Sequence, residues 1–172
     1  MTSEELRARQ APLKDRYRDD ATSALVTLSA SGSLDGRNIA CKVETGRALV
    51  KAGLHPATGG DGLSACSGDM LLEALVACAG VTLKAVATAL GIPIESGTVK
   101  AEGDLDFRGT LGVAKDAPVG FAAIRLRFDL KTDATPDQLA TLFKLTERYC
   151  VVYQTLRNSP PLSVSHETIP SG

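Results

Sequence analysis

Residues 69–91 read DMLLEALVACAGVTLKAVATALG, and this stretch decides the architecture. Only Glu73, Thr82, Lys84 and Thr88 interrupt a run that is apolar on nearly every side. Such a helix either crosses a membrane or lies deep in a core. A span needs about 20 predominantly apolar residues with few charges. Glu73, Lys84 and the many weakly hydrophobic alanines argue for the core. Gly91 and Pro93 end the helix, the first as a left-handed cap and the second as a breaker. A chain of 172 residues offers little surface with which to cover so long a helix on all sides. Cover by a second copy of the chain is therefore expected, giving a homodimer.

Strand patterns flank the helix. On its N-terminal side Ala24, Val26, Leu28 and Ala30 alternate with smaller or polar neighbours. SGSLDGR (31–37) has turn chemistry, and Ile39, Cys41 and Val43 alternate with Lys42 and Glu44, so a hairpin is expected. A third short strand is expected in RALVKAGL. The Gly-, Ser- and Pro-rich residues 53–68 form a long loop of the kind that is more often functional. On the C-terminal side, Val99, Ala101, Gly103, Leu105 and Phe107 oppose Lys100, Glu102, Asp104, Asp106 and Arg108. Ile124, Leu126, Phe128 and Leu130 oppose Arg125, Arg127, Asp129 and Lys131. Each of these strands has one wet and one buried face. Thr135-Pro136-Asp137 opens a helix with a Leu139, Leu142, Phe143, Thr146 stripe that leads to Cys150. VVYQTLR continues as another helical turn or two, Asn158-Ser-Pro-Pro stops it, and Leu162, Val164 and His166 suggest a last strand. The order predicts a single α+β domain over 22–172. Residues 1–21 precede it as a charged arm or exposed helix, with ten charges in residues 3–20 and a break expected at Pro12.

Composition narrows the chemistry. Lys plus Arg total 19 against 20 Asp plus Glu, and aromatics are 4%, so neither the charge nor the stacking surface of a nucleic-acid binder is present. Two distant histidines, His55 and His166, supply neither a metal site nor a Ser-His-Asp triad. The expectation is therefore no metal and no cofactor. The charged N-terminus has no apolar signal segment, which favours a cytoplasmic location, with no membrane partner and with thiols kept free. No two of Cys41, Cys66, Cys78 and Cys150 have CxxC spacing, excluding a zinc ribbon or a thioredoxin-type motif. Cys41 reads as packing. Cys66 sits at the mouth of the long helix. Cys78 and Cys150 belong to two helices that pack on one sheet face, where a disulfide needs Cα atoms about 4.4–6.8 Å apart. Two thiols, one reactive and one resolving, are the minimum for a reversible redox cycle.

The segments GGDGLSACSGDMLLEALVACAGVTLKAVATALGI and LTERYCVVYQTLRNSPPLSVSHE, in this order and with strands around and between them, resemble the OsmC family, which includes the organic hydroperoxide resistance proteins. The resemblance covers about residues 22–168. It implies an intertwined homodimer with antiparallel sheets around two long buried central helices, and active sites at the subunit interface. It implies further that Cys78 attacks an organic hydroperoxide, Cys150 resolves the sulfenic acid, and a dithiol or lipoyl-type reductant closes the cycle. The hydroperoxidases of the family add a hairpin-turn Arg and a helix-start Glu. Here Leu34 and Gly68 stand at those places, and Arg37 and Asp69 are the nearest candidates. Asp69 also reads as a helix N-terminal charge complementing the macrodipole. Val151 follows Cys150 where the family has Pro. Two alternatives stay open: a non-catalytic OsmC-type protein binding a small apolar ligand at the dimer interface, and a redox or electrophile sensor using Cys66.

Overall fold

The computed structural model describes residues 3–34, 41–43 and 52–167, and their side chains over 8–27 and 52–167. The elements in chain order are α1 (Ser3–Asp19), β1 (Leu25–Leu34), β2 (Cys41–Val43), α2 (Ser67–Leu90), β3 (Ser96–Asp106), α3 (Phe107–Thr110), β4 (Phe121–Lys131), α4 (Pro136–Tyr149) and α5 (Val151–Arg157). The strands form an antiparallel sheet in the order β2-β1-β3-β4. The α+β architecture is the expected one.

The sheet has the two faces that the alternation predicts. Val99, Ala101 and Leu105 of β3 are buried. On the other face Asp104 takes the Arg125 guanidinium and the Thr27 hydroxyl, and Lys100 pairs with Glu102 at 2.7 Å. The Arg125–Arg127 side is a solvated ion-pair face, as its sequence implied. These pairs stand at the solvent boundary, where water screens them, so they add little to stability. Gly103 matters for close approach: a Cβ there would meet the Phe121 ring at 2.5 Å.

Helix α2 lies across β1 and β3, with α4 and α5 beside it. Leu72, Leu75, Val76, Ala79, Leu83 and Ala87 are buried on its sheet side. Its other side keeps Met70, Leu71 and Val81 between 37% and 40% exposed. The described residues of the chain therefore cover one side of the helix and leave the other open. Gly91 closes it at φ 66°, its N–H reaching Ala87 and Thr88 oxygens, a conformation open to glycine without a Cβ penalty. Helix α4 starts with a capping box between Thr135 and Gln138 and with Pro136 in its first turn, and Leu142 and Thr146 of its expected stripe are fully buried.

Four expectations are corrected. Pro12 does not interrupt α1. The docking of the last turn holds the helix together, because buried Tyr17 donates to the Ala57 carbonyl at 2.8 Å and Gln10 to that of Thr58 at 3.1 Å. Residues 31–34 of the turn expected in 31–37 belong instead to β1, paired Gly32 with Val43 and Leu34 with Cys41; residues 35–37 lie outside the described residues. The β3–β4 connection carries α3, a turn capped by Asp106, which accepts the Arg108 N–H at 3.0 Å and pairs with its guanidinium at 2.5 Å. Residues 159–167 form no strand; Leu162 and Val164 are 89% and 97% exposed, and three alternating positions after Pro160-Pro161 find no partner edge in the protomer. The third strand expected in 47–54 lies mostly outside the described residues; Ala52 makes a single parallel bridge to Ala65.

Leu83→Ala leaves a hole beneath the sheet and lowers stability by about 2–5 kcal/mol, whereas Thr135→Ala removes one cap and lowers it by about 1 kcal/mol. Urea unfolding of the two variants checks the order; a smaller loss for Leu83→Ala contradicts the core assignment.

Candidate functional site

Two consecutive helices set the geometry at Cys150. Its backbone is extended, with φ −71° and ψ 106°. Its N–H still reaches Thr146 O at 2.9 Å and its carbonyl accepts the Gln154 N–H at 2.9 Å. One residue thus closes α4 and opens α5, and the corner turns the unpaired N–H groups of the first α5 turn toward α2. Cys78, in the middle of α2, receives them. Burial opposes ionisation of its thiol. The Val152 N–H, the Cys150 thiol, the Thr82 hydroxyl and the Val151 N–H outweigh that and hold its pKa below the ordinary thiol value.

Cys150 behaves oppositely. Burial, chiefly, pushes its thiol up to about 11, opposed by the Tyr153 N–H and reinforced by the hydrogen bond to Cys78 and by the charge there. Cys78 is half-buried, Cys150 is buried, and neither is in a disulfide. As pH rises the pair therefore ionises first at Cys78, with Cys150 remaining the protonated donor. A thiolate beside a thiol is the arrangement that thiol–disulfide chemistry uses.

Two clefts open between β4 and the helices α4 and α5, and neither is lined by Cys78 or Cys150. One of about 300 Å³ is lined by Leu75, Phe121, Ile124, Leu126, Tyr153 and Leu156 among others; Leu75 lies one turn before Cys78. A second of about 510 Å³ adds Phe128, Phe143 and Glu147. Tyr153 borders both, its hydroxyl 3.4 Å from Glu147.

The remaining candidates are placed apart or not described. Asp69 stands in the first turn of α2, nine residues and so about 14 Å along the axis from Cys78. Burial raises its pKa and His55 opposes the shift. Arg37 lies outside the described residues, as does the side chain of Cys41. Cys66 is the N-cap of α2 without a side-chain cap bond, about 18 Å along the axis from Cys78. His55 is structural: its Nδ1 accepts the Ala57 N–H at 3.0 Å and its ring stacks on Phe107 at 5.0 Å. His166 is exposed. Among the described residues no cluster of His, Cys, Asp or Glu is suited to a metal.

Sequence reasoning missed the N–H groups of α5 and the Thr82 hydroxyl. The signals were present: Thr82 is four residues after Cys78, on the same helix face. The Val at 151 also has a meaning that spacing alone did not give, since proline there has no N–H to donate.

Comparisons with known proteins agree with the fold. The OsmC family, described as OsmC-like protein, matches residues 59–165. An OsmC-like hydroperoxide resistance protein from Jannaschia sp. CCS1 superposes with a TM-score of 0.57 at 17% identity, covering 84% of this chain and 95% of that one. An OsmC-like protein from Mycoplasma pneumoniae does so with a TM-score of 0.54 at 15% identity, over 78% of this chain and 86% of that one. Comparison with curated proteins found no match.

Val151→Pro isolates one donor. Cys150 already has the extended backbone that a following proline demands, and proline suits a first helical position. The variant folds and its Cys78 pKa rises; Thr82→Val raises it as well. Peptide-resolved alkylation rates against pH measure both shifts, and an unmoved Cys78 inflection in both contradicts the account of the thiolate.

Proposed function

The chain belongs to the OsmC-like family, and from that premise we propose that it reduces organic hydroperoxides through Cys78 and Cys150, in defence against peroxide stress. The observation that carries the reading is the contact between two free thiols from separate elements, in surroundings that favour the thiolate at Cys78 and the thiol at Cys150. The Cys78 thiolate attacks the outer oxygen of ROOH, and the O–O bond breaks. The alkoxide takes a proton from solvent and leaves as ROH, while Cys78 becomes a sulfenic acid. Loss of the negative charge on Cys78 removes one of the influences that hold the Cys150 thiol up. Cys150 then attacks the Cys78 sulfur, water leaves, and a disulfide forms. A small dithiol or lipoyl-type reductant supplies two electrons and two protons to restore both thiols. No metal or cofactor enters the cycle.

The apolar clefts beside Leu75 and Tyr153 suit the organic part of the substrate. They favour an alkyl hydroperoxide over hydrogen peroxide, which has nothing to bury there. The half-exposed apolar side of α2, with Met70, Leu71 and Val81, supports a homodimer in which a second copy completes the cover and the active site lies at the interface. Arg37, which lies outside the described residues, is the proposed cation for that site, and Asp69 the proposed carboxylate that steadies it. A cycle run by free thiols suits a reducing cytoplasm.

Consumption of cumene hydroperoxide and of hydrogen peroxide with dithiothreitol tests the proposal. Wild type consumes cumene hydroperoxide faster than hydrogen peroxide. Cys78→Ser abolishes turnover, and Cys150→Ser leaves a sulfenic acid on Cys78 that dimedone traps. Equal rates for wild type and Cys78→Ser overturn the proposal.

A further inference from the structure

Helix α2 holds a second reactive group that the thiol cycle does not use. Lys84 is 8% exposed. It lies six residues beyond Cys78, about 9 Å along the axis and about 120° round it. A buried ammonium is costly unless a counter-charge or hydrogen bond compensates it. Among the described residues no ion pair or side-chain hydrogen bond reaches the Lys84 Nζ, whereas every fully enclosed polar side-chain atom has a partner. The Nζ is therefore not fully enclosed, and Lys84 lines a pocket.

That pocket has a volume of about 390 Å³. Ile92, Pro93 and Ile94 form one wall and Lys131, Thr132 and Asp133 the other. Its remaining polar groups are largely occupied. Lys131 pairs with Glu95 at 2.7 Å, and the Thr132 hydroxyl donates to the Pro93 carbonyl at 2.6 Å. Lys84 is thus the cation left for a ligand, and a lysine serves an anion as a compact point charge. The carboxylates of Glu95 and Asp133 at the same pocket disfavour a dianion such as phosphate. One negative charge and an apolar body fit what remains.

We propose that this pocket binds a small aliphatic monocarboxylate, its carboxylate on the Lys84 ammonium and its chain against Ile92, Pro93 and Ile94. The ligand offsets the desolvation of Lys84 by giving its ammonium a counter-charge, beside a wall in which Ile92 and Ile94 are already buried. Lys131 is held by Glu95 and takes no direct part.

Hexanoate, hexanol and hexylamine serve as probes, titrated into the full chain and followed by NMR shifts of labelled methyl groups. Hexanoate binds saturably, shifts the Ile92 and Ile94 methyls, and binds at least about tenfold more tightly than hexanol or hexylamine. Lys84→Met, an apolar replacement of similar length, abolishes that preference, while Lys131→Met keeps it. Asp133→Asn tightens hexanoate, which provides a second reading should the Lys84 variant fold poorly. Equal binding of hexanoate and hexanol overturns the proposal, as does a preference that survives Lys84→Met. Absence of saturable hexanoate binding overturns it too, and is the result expected if a carboxylate of a second copy already occupies Lys84.

Discussion

A 24-residue helix with two charged side chains inside its apolar stretch has to be taken out of water, and most of the fold answers that constraint. The strands β1 and β3 take its sheet side, and α4 and α5 lie along its flank. Burying a leucine side chain is worth about 1.5–3 kcal/mol, so Leu72, Leu75 and Leu83 together contribute a large share of a marginal net stability. The covering is one-sided in the protomer. The uncovered side is where the proposed dimer finds its driving force, and the proposed chemistry sits in the same helix.

The site follows from how the cover is built. Helix α4 cannot run on past Cys150 and still lie beside α2, so the chain bends at one extended residue and starts again as α5. The bend places a helix start against the middle of a buried helix. N–H groups left without carbonyl partners then face Cys78, and a thiol that burial alone would keep protonated is ionised more easily. The same burial, with no comparable set of donors, keeps Cys150 protonated. Two like groups in one crevice are driven to opposite states by what surrounds each, which is how environment assigns roles to chemically identical side chains.

Much of this was legible in the sequence because strong periodicity survives folding. The ends of α2 at Gly91 and of α4 at Thr135-Pro136 were readable from cap chemistry, and β3 and β4 from strict alternation. The pairing of Cys78 with Cys150 was readable as two helices on one sheet face. What was not legible came from contacts between remote segments. Pro12 is carried through α1 because Tyr17 and Gln10 hold it to Ala57 and Thr58, some forty residues away. The last expected strand failed because alternation proposes an edge strand but cannot supply its partner. The donors from Val151 and Val152 are backbone groups, which side-chain patterns do not reveal, and Lys84 looked like an interruption of an apolar helix rather than the wall of a pocket.

The most direct test is the bond that one equivalent of cumene hydroperoxide creates in the reduced protein, read by mass spectrometry of non-reduced peptides. The account predicts a disulfide between Cys78 and Cys150 of the same protomer, formed in step with peroxide loss and absent from Cys78→Ser. Peroxide loss that leaves these two thiols reduced, or a crosslink that instead joins Cys66, would contradict it.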